Sequence, residues 1–76
     1  MRTNREPTMH PTPAQLAYLA AMMIQLRLDF RMALCLANLH TQADELWALQ
    51  LHDALLLIHA LEAEKYRRGF PQLHLE

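Results

Sequence analysis

The chain has 76 residues, of which 53% are hydrophobic, and its seven Lys and Arg against eight Asp and Glu give a formal net charge of -1. A chain this short forms one domain at most, and small domains often rely on oligomerisation for stability. The near-neutral charge provides no global field to attract nucleic acid, and the single cysteine excludes an intramolecular disulfide framework.

The N-terminal segment is polar and precedes the apolar part of the chain. Residues 1–11 contain two prolines and predict a flexible arm, while residues 12–69 form the predicted helical domain and residues 70–76 a short tail. The arm lacks the apolar core of a signal peptide, and the uncharged run from Ala14 to Leu26 is shorter than the roughly 20 residues that span a bilayer. We therefore expect a cytoplasmic protein. The final Leu75 and Glu76 resemble a cloning remnant before a purification tag, so we assign them no function.

The first predicted helix covers about 13–39. Thr12 can cap it, Pro13 suits its first position, and Gln15 can complete a capping box. Placed about 100° apart around a helix axis, its apolar side chains form two stripes on nearly opposite sides. The first stripe consists of Leu16, Leu19, Met23, Leu26, Phe30, Ala33, Leu34 and Ala37. The second stripe consists of Ala17, Ala21, Ile24, Leu28, Met32, Cys35 and Leu39. Because a helix with two apolar sides is normally buried on both, a single partner helix cannot cover it.

The second predicted helix covers about 42–68. Thr41 and Asp44 form a capping signal at its start, and Gly69 can take the left-handed conformation that ends it. Its main apolar stripe consists of Ala43, Trp47, Leu51, Ala54, Ile58 and Leu61. Since the connection is short, two helices of similar length must fold back on each other. The sequence therefore predicts an all-α fold, in the form of an antiparallel two-helix hairpin.

Such a hairpin leaves one side of the first helix uncovered. The first stripe packs against the second helix, whereas the second stripe exposes on the order of several hundred Å² of apolar surface, more than soluble monomers usually show. A second copy of the chain is the simplest cover, and it gives a twofold four-helix bundle. We expect a homodimeric, non-enzymatic interaction protein that acts as an adaptor, modulator or inhibitor of another, unidentified protein.

A metal site and catalysis have weaker support. His52 and His59 lie two helical turns apart near Glu62, and imidazole together with carboxylate can bind a transition metal. These residues also suit a solvated helix face, so we expect neither metal nor cofactor. Cys35 lies on an apolar stripe, which predicts a buried and inert thiol. The chain contains no serine and no glycine-rich phosphate loop, so we expect no enzymatic activity.

Nucleic-acid binding is the alternative function. Arg27 and Arg31 form an i, i+4 pair, and Lys65, Arg67 and Arg68 cluster at the end of the second helix. Phosphate binding along a helical bundle requires a continuous basic surface. Acidic residues interrupt the basic ones along the sequence, which favours ion pairing and dipole capping. We therefore expect a protein partner and no membrane, with nucleic acid as the less favoured partner.

Overall fold

The computed structural model describes residues 9–69, which fold as three α-helices. α1 spans Pro13–Leu26, α2 spans Phe30–Ala37 and α3 spans Leu51–Arg68. One turn of 3-10 helix, Leu46–Ala48, lies between α2 and α3, and no strand occurs within the described residues. The predicted all-α class is confirmed. None of the described helices is long and apolar enough to cross a membrane.

α1 begins where the sequence predicts. Thr12 Oγ1 accepts a hydrogen bond from the Gln15 N–H at 3.1 Å, and Gln15 Oε1 accepts one from the Thr12 N–H at 2.9 Å. These two bonds form the predicted capping box, with Pro13 in the first turn. The start of α1 is therefore determined by chemistry within four consecutive residues.

The predicted first helix over about 13–39 is wrong in its length, because residues 27–29 break it. Arg27 adopts the left-handed conformation, with a φ of 59°, and its N–H donates back into the last turn of α1. Asp29 then caps α2, since its carboxylate accepts a hydrogen bond from the Met32 N–H at 2.8 Å. An aspartate side chain competes with the helix for backbone donors, so the cap replaces the helical bonds that a continuous helix would form.

The predicted second helix over about 42–68 is wrong at its start, because α3 begins only at Leu51. Thr41 Oγ1 accepts a hydrogen bond from the Ala43 N–H at 3.2 Å, which makes a local turn and not a helix cap. The start of α3 is bound to the N-terminal segment, since the Leu51 N–H donates to the Met9 carbonyl at 2.8 Å. Capping signals in the sequence cannot reveal a bond between residues so far apart.

The end of α3 is as predicted. Gly69 follows Arg68 in the left-handed conformation, with a φ of 77°, and its N–H donates to the Tyr66 carbonyl at 3.1 Å. Lys65, Arg67 and Arg68 occupy the last turn, where positive charge complements the helix dipole. Local signals therefore predict this terminus correctly.

Contacts between α1 and α3 follow the same order along both helices. Tyr18 donates a hydrogen bond to Glu62 at 2.7 Å, and further along both helices Arg68 donates to the Leu26 carbonyl at 3.0 Å. α1 and α3 therefore run in the same sense, and residues 27–50 return the chain to the start of α3. This differs from the antiparallel pairing predicted for two continuous helices. A hairpin of α2 and α3 is compatible with the packing of α2 against α3.

The core lies between the three helices. Its fully buried side chains are Leu19, Met22 and Leu26 of α1, Ala33 of α2, Leu49, and Ala54, Leu57 and Leu61 of α3. Every member of the first stripe is buried or half-buried, as predicted. Trp47, predicted to be in the core, is 70% exposed, and Leu49 is buried in its place. Helical spacing does not apply there, because residues 43–49 do not form an α-helix.

Part of the predicted arm is attached to the helices. Besides the hydrogen bond of the Met9 carbonyl, Pro11 is buried. Residues 1–8 of the arm and the predicted tail, residues 70–76, lie outside the described residues.

Candidate interaction surface

The second stripe lies largely on the surface of the chain. Ile24 is 78% exposed and Met32 is 50% exposed. The other members are either exposed, namely Ala17, Ala21 and Cys35, or half-buried, namely Leu28 and Leu39. A single chain therefore leaves uncovered most of the surface that the sequence predicts to be an interface.

The outward side of α2 is the most continuous part of this surface. It forms a shallow hollow of about 460 Å³, lined by Leu28, Arg31, Met32, Cys35 and Leu36. A neighbouring hollow of about 400 Å³ shares Arg31 and Cys35 and extends to Leu39. We call the four apolar side chains Leu28, Met32, Cys35 and Leu36 the α2 face. The guanidinium of Arg31 lies at its edge and can remain solvated while the apolar side chains are covered.

Two residues of the α2 face differ from their predicted positions. Cys35 is exposed, so the predicted burial of its thiol is wrong. Its stripe faces away from the core between the three helices. Leu36, which is 40% exposed, belongs to neither predicted stripe. In a continuous helix Leu36 would lie at the edge of the second stripe, and its spacing of four residues from Met32 was the signal that could have indicated it.

The basic residues at the end of α3 are engaged within the fold. Lys65 is only 4% exposed, and its Nζ lies 5.8 Å from the centroid of the Tyr18 ring. Arg68 reaches across to the last turn of α1 through its bond to the Leu26 carbonyl. Arg27 and Arg31 are exposed near the break. The basic residues named for the nucleic-acid alternative therefore do not act together as one free surface.

Glu64 forms ion pairs with two arginines at the end of α3. The side chain is 6% exposed, and its Oε2 lies 2.6 Å from Arg67 Nη2 and 2.6 Å from Arg68 Nε. Hydrogen bonds from Arg67 first, and then from Arg68, hold the pKa of the Glu64 carboxyl below its usual range. The same pairing raises the pKa of Arg67. This network connects the end of α3 to α1, because Arg68 also binds the Leu26 carbonyl.

The weak metal candidates do not converge on a site. His52 and His59 are exposed, and Glu62 accepts the hydrogen bond from the Tyr18 hydroxyl. That bond, together with burial and the negative charge of Glu62, raises the pKa of Tyr18 to about 12. Among residues 9–69, no group of three or more His, Cys, Asp and Glu side chains could hold a metal ion. Glu62 serves the packing of α1 on α3.

A second surface feature lies on the segment between α2 and α3. An open hollow of about 920 Å³ is bordered by the exposed Trp47 and by Asp44, Glu45 and Asp53. Sequence reasoning missed this hollow because it placed the same residues on a helix, with Trp47 toward the core. The hollow is separate from the α2 face, with which it shares no lining residue.

Comparison of the chain with protein-family models, with curated proteins and with solved structures finds no match.

Proposed function

We propose that the protein is a non-enzymatic interaction module that acts as a homodimer, with the second stripe as its association surface. The observation that carries the proposal is the exposure of Ile24 and Met32, at 78% and 50%, together with the apolar side chains of the α2 face. Exposed apolar patches of this kind are typical of protein interaction sites. The four-helix bundle and a cytoplasmic location belong to the same proposal.

A second copy of the chain is the occupant that this surface fits. In a twofold dimer the same patch of each copy contacts its counterpart on the other copy. Each copy therefore covers the exposed apolar side chains of the other. Met32 and Leu36 are well suited to such a contact, because flexible and branched aliphatic side chains fill irregular gaps. Arg31, at the edge of the α2 face, fits the polar rim that surrounds a buried interface.

The dimer would act on a further protein, as an adaptor, modulator or inhibitor. Surface for that contact remains outside the α2 face, since Trp47 is 70% exposed and Leu56 is 44% exposed. Tryptophan is enriched among residues that dominate binding energy at protein interfaces. The class of function that we propose is therefore occupation of another protein's surface.

A charge placed on the α2 face tests the proposal. Met32→Glu should convert the dimer to a monomer, because the new carboxylate would be buried without a partner. Helix content by circular dichroism should not change, since the side chain is half-exposed in the single chain. Leu56→Glu is the matched control, because Leu56 is exposed to a similar extent on α3. Equal masses of Met32→Glu and the wild type in light scattering would refute this surface as the interface.

Nucleic-acid binding through Arg27, Arg31, Lys65, Arg67 and Arg68 is the alternative. The exposed Arg27 and Arg31 favour it, whereas the burial of Lys65 and the ion pairs of Glu64 oppose it. Phosphate binding weakens steeply as salt rises, while an apolar protein interface does not. A gel-shift assay at low salt should show no retardation of RNA or DNA. A salt-sensitive shift would favour nucleic-acid binding over the protein-interaction function.

A further inference from the structure

The break between α1 and α2 is held in an unfavourable backbone conformation. Arg27 has a φ of 59°, in the left-handed region that favours glycine and asparagine. For an arginine this conformation is disfavoured by on the order of tenfold relative to the right-handed helix. The corresponding residue after α2 is Asn38, which tolerates the same conformation well. The strain is therefore specific to the junction of α1 and α2.

The residues around the break are all compatible with a continuous helix. The sequence contains no glycine and no proline from Ala14 to Arg68. The two apolar stripes also continue in register across residues 27–29, which is the pattern of one helix. The same segment can therefore form either the observed turn or a straight helix from Pro13 to Ala37, roughly 37 Å long.

Straightening the break would separate α1 from the rest of its own chain. Leu19, Met22 and Leu26 of α1 are fully buried in the core, and they would lose that cover. α2 can stay on α3 of its own chain, since these two helices pack directly against each other. The α3 of a second copy, straightened in the same way, offers the vacated site for α1. Each copy would then restore the core of the other.

We propose that residues 27–29 are a hinge for reciprocal exchange of α1 between two copies of this chain. The exchange rests on the proposed homodimer and specifies its structure. In the straight helix, Ile24, Leu28 and Met32 lie along one line, so the two parts of the second stripe join into a continuous seam. Short hinge segments under backbone strain are known to favour domain swapping.

Two contacts oppose the exchange and stabilise the single chain. Asp29 caps α2, and the Leu28 N–H donates to the Met23 carbonyl at 2.9 Å. The balance between these contacts and the strain at Arg27 determines the population of the exchanged dimer. Asp29→Ala should shift this balance toward the dimer, because it removes the cap that only the bent form needs.

A pair of substitutions at Arg27 tests the hinge. Arg27→Gly relieves the left-handed conformation and weakens the straight helix, whereas Arg27→Ala removes the same charge and favours the helix. The preference of residue 27 for the left-handed conformation over the helix should differ by about tenfold between the two variants. Because both chains straighten in the exchanged dimer, the dissociation constant of Arg27→Gly should exceed that of Arg27→Ala by about a hundredfold. Sedimentation velocity over a concentration series measures both constants.

The outcomes separate the hinge from the association surface. Equal dissociation constants for Arg27→Gly and Arg27→Ala, with dimer loss in Met32→Glu, would overturn the exchange and leave the proposed interface standing. A dimer that withstands Met32→Glu but responds to the Arg27 pair would support exchange and overturn that interface. A monomeric wild type and a monomeric Asp29→Ala at hundreds of micromolar would overturn both.

Discussion

At the scale of single residues, the link between α1 and the end of α3 depends on Glu64. Its carboxylate binds Arg67 and Arg68, and Arg68 in turn holds the last carbonyl of α1. The ion pairs lower the pKa of Glu64, so the folded protein binds a proton there less readily than the unfolded chain. Stability from this group is therefore fully present above the unfolded value, near 4.5, and is lost as the pH falls below it.

Glu64→Gln should remove this part of the acid sensitivity. The variant should be less stable than the wild type at neutral pH, and the difference between them should shrink as the pH falls below about 4.5. Urea unfolding followed by circular dichroism at several pH values measures the free energy of unfolding of both proteins. Glu45→Gln is the control, because Glu45 is exposed and should retain the wild-type slope. Parallel curves for wild type and Glu64→Gln would contradict the role of these ion pairs.

Tyr18 should make the stability of the protein depend on pH in the alkaline range. Its raised pKa, about 12 against 10.0, means that its stabilising hydrogen bond to Glu62 is present below pH 10.0 and is lost as the pH rises through about 12. The tyrosinate absorbance of the wild type minus that of Tyr18→Phe should show this titration. Tyr18→Phe should also lower the free energy of unfolding by about 1 kcal/mol, a modest value because the bond is exposed to solvent. A difference titration centred near 10.0 would contradict the bond.

At the scale of helices, local signals predict some termini and not others. The capping box of Thr12 and Gln15 and the left-handed Gly69 were predicted, because each involves neighbouring residues. The break at Arg27 was not, since arginine carries no turn signal and both stripes continue through it. Nor could the sequence reveal that the Met9 carbonyl lies at the start of α3.

Asp29 is the residue whose loss should show how the break is maintained. Asp29→Ala removes the side-chain acceptor of the Met32 N–H and should reduce the stability of the single chain by about 1 kcal/mol. Asp44→Ala is the matched control, because the helix that Asp44 was predicted to start does not form there. Its effect should stay within about 0.5 kcal/mol. Thermal unfolding at low protein concentration compares the stability of the two variants. Equal losses of stability would contradict the role of Asp29 as the cap of α2.

At the scale of the whole molecule, burial was predicted better than topology. The first stripe faces the core and the second stripe remains largely exposed, although the helix that carries them is bent. Which side chains are buried depends on the helical spacing of the apolar residues, and this spacing is kept within α1 and within α2 although the two helices are separate. Topology depends on the break and on long-range bonds such as that of Arg68 to Leu26, which are absent from any local pattern. The exposed hollow beside Trp47 was missed because its residues were predicted to form a helix with Trp47 toward the core.

The second stripe is the feature that connects the fold to the proposed function. Its exposure in one chain is a property of the structure, and we propose that a second copy covers it. Sedimentation equilibrium of the wild-type chain, from micromolar to hundreds of micromolar, measures whether this association occurs. We predict a mass that rises to twice that of one chain and stays there. A mass of one chain throughout this range would show that the second stripe is not covered by a second copy.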